Sequence, residues 1–156
     1  MSFFSLIKHP IKFRLFLLTK LPSAYFSGVR VKHADEEKAI VTIPYKWFST
    51  NPFKSTYFAC LAMAAEMSTG VLALSNIYGR KPAVSMLVLK IEGNFYKKAT
   101  GKTSFTCADG LAVKQCIQQA IDSGEGTQIT MKSTGSNQEG ETVAEFFITW
   151  SFKAKK

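Results

Sequence analysis

Apolar and polar positions change rhythm twice along this chain, and each change marks a new kind of element. Over the first 27 residues, Phe3, Phe4, Leu6, Ile7, Ile11, Phe13 and Leu15 to Leu18 interleave with Lys8, Lys12, Arg14 and Lys20. On a helix of about 100° per residue, Ser5, Lys8, His9, Lys12, Thr19 and Lys20 share one arc and most apolar residues fill the other; Arg14 and Phe16 break the pattern. This predicts an amphipathic helical extension over 1–27, broken near Pro10 and stopped by Pro22. From Gly28 the period becomes two. Val29 and Val31, then Ala39, Val41 and Ile43, read as a strand pair around the solvated turn Asp35-Glu36-Glu37.

A loop over 45–53 leads to a segment of another kind. Tyr57 to Leu74 is apolar nearly all round, rich in Ala and Met and free of proline, which predicts a buried helix. After Gly79-Arg80-Lys81-Pro82 the strands resume, and the alternation places Leu87, Leu89, Ile91, Gly93 and Phe95 on one face of a long strand. Thr103, Phe105 and Cys107 continue it. An amphipathic helix fits Leu111 to Ile121. Gln128 to Ser133 and Thr142 to Phe152 are the last strands, with Ala144, Phe146, Ile148, Trp150 and Phe152 on one face and turn chemistry over 134–140. A helix apolar on every side needs cover on every side. An antiparallel sheet curled around it, an α+β arrangement over 28–156, supplies most of that cover.

Composition narrows the partners more than the fold. Of 156 residues 46% are hydrophobic, enough for one domain with a real core, and disorder is excluded. Twenty Lys and Arg against 11 Asp and Glu give a charge of +9, which favours a polyanionic partner such as nucleic acid, anionic lipid or a phosphate-bearing ligand. No nucleic-acid module, glycine-rich phosphate loop or dinucleotide fingerprint is recognisable, so nucleic acid is not expected. Cys60, Cys107 and Cys116 lie far apart with no C-x-x-C pair, and there are only two histidines. These exclude a disulfide framework and a His-rich metal site, and fit a reducing cytoplasm. The apolar run Leu15 to Leu18 is too short for a signal-peptide core, so secretion is not expected.

One residue stands out chemically. Glu66 is the only charged position between Ser55 and Gly79. An ionised carboxylate in such a helix must be paired, protonated or turned to a polar cleft, as a structural group or as a catalytic acid or base. Lys54, Arg80, Lys81, Lys97 and Lys98 could meet phosphates, although a solvated surface explains each equally.

Asn51, the stretch Ser55 to Gly70 (STYFACLAMAAEMSTG) and Glu66 fifteen positions after Asn51 resemble the entry to the central helix of hotdog-fold acyl-CoA thioesterases. Within that superfamily the likeness is closest to an uncharacterised bacterial family, of the DUF4442 type, with N-P-F-x-S-T-Y-F before an Ala-rich helix containing A-E. It covers about residues 20 to 154. The resemblance implies a hotdog fold, a homodimer or tetramer, and hydrolysis of an acyl thioester at a dimer-interface site. It needs no cofactor, since the coenzyme A moiety belongs to the substrate. In its terms Asn51 positions the water or thioester, Glu66 is base or nucleophile, the Phe58 N–H is the oxyanion donor, and Ser85 orients water. Tyr57, Lys54, Arg80 and Lys81 are its substrate-binding candidates. Several relatives carry His-Gly-Gly where this chain has Tyr57-Phe58-Ala59, which adds bulk beside the donor. The alternative is a non-catalytic acyl or lipid binder that touches a membrane surface through residues 1–20.

Overall fold

Pro10 and Pro22 open helices rather than only closing them. The computed structural model describes residues 2–155 and divides the N-terminal extension into three helices, α1 (Phe3–Lys8), α2 (Pro10–Lys20) and α3 (Pro22–Ser27). Each proline stands at a first helical turn, where its missing N–H costs nothing. Ser2 caps α1 and the His9 ring caps α2 by accepting the Lys12 N–H. The single amphipathic helix is thereby corrected in a second respect. Its apolar residues do not form one inward arc: Phe3, Phe13 and Leu17 are buried, whereas Ile11, Leu15 and Leu18 face outward. Gly28, at φ +86°, turns the chain from α3 into the sheet against the Pro44 ring, which a Cβ there would meet at 2.8 Å.

The strands β1 (Arg30–Ala34), β2 (Ala39–Ile43), β3 (Val84–Phe95), β4 (Thr103–Cys107), β5 (Thr127–Ser136) and β6 (Thr142–Ala154) form one antiparallel sheet in the order β1-β2-β4-β5-β6-β3. Its concave face holds α4 (Phe58–Ile77), and α5 (Gly110–Ser123) packs beside α4 over β5 and β6. Every second residue of β6 from Ala144 to Phe152 is buried, as the alternation predicts. β5 runs three residues further than the turn chemistry suggests, because Thr134, Gly135 and Ser136 pair with both β4 and β6. At Gly135 the Phe105 ring lies where a Cβ would stand, 2.5 Å away.

β3 departs most from expectation. Its pairing with β6 slips between Val88 and Lys90, so Met86 and Val88 share the core face with Ile91, Gly93 and Phe95, while Leu87 points to the outer face and Leu89 is the extra residue. The five residues read as one face are therefore split by the bulge. Leu87, Leu89, Ile91 and Phe95 are all exposed, on an edge strand whose outer side has no neighbour among the described residues. α4 itself is covered as predicted, its Cys60, Leu61, Ala64, Ala65, Met67, Val71, Leu72 and Ala73 all buried. Phe3, Phe13 and Leu17 of the extension belong to the same core.

Candidate active site

The loop that feeds α4 is built around one side chain. Asn51 accepts the N–H groups of Phe53 at 2.9 Å and Ser55 at 3.2 Å on Oδ1, and its amide donates to Ser55 Oγ at 3.1 Å and to the Thr56 carbonyl at 3.4 Å. Both ends of the amide are thus spent on the loop, a turn in which Lys54 takes φ +57°. Thr56 is held from the other side, donating its N–H and hydroxyl to the Ala99 carbonyl. This bracing sets where α4 begins. No side chain caps that beginning, and among the described residues the N–H groups of Phe58 and Ala59 have no acceptor.

Those free donors open on a cavity of about 610 Å³ lined by Asn51, Phe53, Tyr57, Phe58, Tyr96 and Lys98, among others. Phe58 is 58% exposed, and its ring packs edge-on against the Tyr57 ring with centroids 4.9 Å apart. A helix N-terminus with unpaired N–H groups is suited to an oxyanion. Tyr96 and Lys97, which approach from the far end of β3, join the same cavity. Lys97 is among the candidate phosphate contacts in the sequence, whereas nothing there announces Tyr96; the sheet brings both to the cavity.

Glu66 lies elsewhere. Eight positions along α4 separate it from Phe58, about 12 Å of helix. It looks into an apolar cavity of about 110 Å³ formed with Phe13, Phe16, Leu17, Met86 and Trp150, so the extension roofs the carboxylate. A second cavity of about 240 Å³ carries Lys20 at its wall, but no ion pair joins Lys20 to Glu66. Burial without a compensating donor pushes the Glu66 carboxyl above the ordinary carboxylate range.

The protomer thus gathers Asn51, Tyr57 and Phe58, and keeps Glu66 apart from them. Ser85, near the start of β3, is exposed and donates to the Lys153 carbonyl at 3.1 Å. Arg80 and Lys81 follow the C-terminal end of α4, some 30 Å of helix from Phe58. Arg80 there donates to Gln118 and to the Asn76 carbonyl. Lys97 and Lys98, not those two, stand beside Asn51.

The DUF4442 family, a domain of unknown function, matches residues 12–152. The chain belongs to this family. Among curated proteins nothing matches it. Solved structures share its fold across nearly their whole length. A Chlorobaculum tepidum protein of unknown function is 16% identical, with a TM-score of 0.80, over 99% of this chain and 98% of that one. A Pseudomonas aeruginosa protein of unknown function, named a probable thioesterase, is 19% identical, with a TM-score of 0.78 over 94% and 97%. A Haemophilus influenzae thioesterase is 14% identical, with a TM-score of 0.63 over 90% and 88%. At these identities the likeness establishes the fold, and the DUF4442 chain is a hotdog with an N-terminal helical extension.

Proposed function

We propose that this DUF4442 protein hydrolyses an acyl thioester, carried by coenzyme A or by a carrier protein, at a site completed by a second copy of the chain. The observation that carries the reading is the pair of unacceptored N–H groups at the start of α4, open to a cavity, on the same helix as a lone carboxylate with a raised pKa. The thioesterase names of two structural relatives support it.

In this reading the Glu66 carboxylate takes a proton from water, and the hydroxide adds to the thioester carbonyl. The resulting oxyanion is held by the Phe58 N–H, and collapse breaks the C–S bond as the thiolate takes the proton back. Attack by the carboxylate itself is the other course open to Glu66. Asn51 holds the loop that aims the donor. Lys97 and Lys98 are the cations on the wall of this cavity; Lys97 is paired with Glu141, and we assign Lys98 the phosphates of a coenzyme A substrate. A reacting carbonyl must sit about 3 Å from both donor and base. About 12 Å of helix separates Phe58 from Glu66, more than that span, and in this reading the two groups come from different copies. The unpaired, apolar edge of β3 supports edge-to-edge pairing.

The test is turnover by the purified protein against acyl-CoAs of graded length, with Glu66→Gln alongside. We expect Glu66→Gln to lose on the order of 10² to 10⁴ in rate, and the parent's rate to rise with pH through a value above the ordinary carboxylate range. Acyl chains bound but never hydrolysed by the parent would replace the enzyme with an acyl-binding protein.

A further inference from the structure

Helix α2 has two apolar faces, and only one of them is used by the fold. Phe13 and Leu17 point into the core. On the opposite side, at about 100° per residue, Leu18, Ile11 and Leu15 fall within some 60° of one another and form a ridge. They are 37%, 67% and 55% exposed. Arg14 flanks the ridge on one side and Lys12 on the other, both exposed. A helix end packed only for folding has no use for three branched aliphatic side chains in water with a cation on each flank.

A second, independent feature adjoins it. Between the extension and β1 lies a cavity of about 490 Å³ whose wall carries Lys8, Arg14, Arg30, Lys32 and His33. The one carboxylate on that wall, Asp35, is occupied by His33 at 2.7 Å. Among the described residues, none of the four Lys and Arg side chains forms an ion pair. No acidic residue precedes Asp35 in the sequence. Arg14 belongs to both the ridge's flank and the cavity wall, so the apolar and cationic features form one continuous face.

We propose that this face docks on the surface of an anionic phospholipid membrane. Ile11, Leu15 and Leu18 enter the zone between headgroups and acyl chains, and Lys12 and Arg14 extend along them to reach phosphates. The cavity behind Arg14 takes a headgroup phosphate. Charge complementarity selects this occupant over a second copy of the chain, because two such faces brought together would oppose cation to cation. One short helix and one cationic pocket make a reversible attachment that weakens as salt rises. The inference does not depend on thioester hydrolysis.

The test is co-sedimentation of the full chain with two kinds of vesicle, pure phosphatidylcholine and an equimolar mixture of phosphatidylcholine and phosphatidylglycerol. We expect binding to the mixture, little to phosphatidylcholine alone, and release by high salt. The combined variant Ile11→Ser, Leu15→Ser, Leu18→Ser, and separately Lys12→Glu with Arg14→Glu, should each bind the mixture at least tenfold more weakly. All five side chains are exposed, and Leu15→Ser alone should show an intermediate loss if the triple variant folds poorly. Equal binding by parent and ridge variants overturns the proposal, as does no binding by the parent to the mixture. A ridge variant that changes the oligomeric state with unchanged vesicle binding assigns the ridge to a protein interface and also overturns it. Displacement from vesicles by free coenzyme A at low millimolar concentration, with the same loss in the Arg14 variant, would make the cavity a site for a soluble nucleotide instead.

Discussion

Trp150 donates its indole N–H to Thr69 Oγ1 at 2.8 Å, and Thr69 Oγ1 in turn donates to the backbone carbonyl of Glu66. The indole is pinned against α4 beside the Glu66 carboxylate, yet its only donor is already spent. At Gly70, between them, a Cβ would lie 3.4 Å from Glu66 Oε1 and 3.5 Å from Trp150 Cζ2. The carboxylate therefore faces carbon, and its raised pKa follows from that arrangement.

Trp150→Phe keeps most of the ring and removes the hydrogen bond. The expected loss is about 1 kcal/mol of stability in urea denaturation, against about 3 to 5 kcal/mol for Trp150→Ala, which also opens a cavity. Equal losses for the two variants would show that the buried bond, and not the ring, is what holds β6 to α4.

Glu66 makes stability depend on pH in a defined direction. Its folded-state pKa lies above the unfolded value of 4.5, so its protonation favours the fold. That contribution is complete below the unfolded value and is lost as pH rises through the folded one. Glu66→Gln, neutral at every pH, should match the parent in acid and be more stable than it at neutral pH. Urea melts from about pH 4 to about pH 8 read the difference. A gap that does not change with pH would mean the carboxylate has a partner that holds its pKa near normal.

Asn51 acts on the donor through the loop. Asn51→Ala leaves the Phe53 and Ser55 N–H groups without their acceptor and should cost about 1 to 3 kcal/mol. Asn51→Asp preserves the acceptor but loses the donor to the Thr56 carbonyl, and should recover part of that loss. Amide hydrogen exchange at Phe53 and Ser55 distinguishes the two: fast in the alanine variant, slow in the aspartate one.

In the proposed reading the β3 edge is where two copies pair. The parent should sediment at about twice 17.3 kDa or a multiple of that, and Leu87→Lys with Leu89→Lys should give a folded monomer of 17.3 kDa. Lysines on an exposed edge cost the protomer little and oppose its pairing with another edge. A dimer that survives both substitutions places the interface elsewhere.

Much of this molecule is decided by local pattern. Alternation in β2, β4 and β6, the all-round apolar character of α4 and the amphipathic α5 are consequences of side chains repeating with the period of their own backbone. The isolation of Glu66 in an apolar helix follows from its neighbours in sequence alone, whereas the upward push on its pKa comes from burial beneath Trp150 and the N-terminal helices. Other features have no local cause. The bulge at Leu89 is a mismatch between β3 and β6, two strands some 60 residues apart, and no alternation within β3 reveals it. The division of α2 into a buried and an exposed apolar face depends on where the helix lands on the sheet and α4. Asn51 at a helix entrance suggests a cap or a catalyst, and only the folded loop shows its amide committed at both ends. The same holds for Glu66 and Phe58, which share one helix and one proposed chemistry. Their separation is a property of helical rise, but what surrounds each is settled by long-range packing: the end of β3 and the residues after it line the cavity at Phe58, and the N-terminal helices cover Glu66.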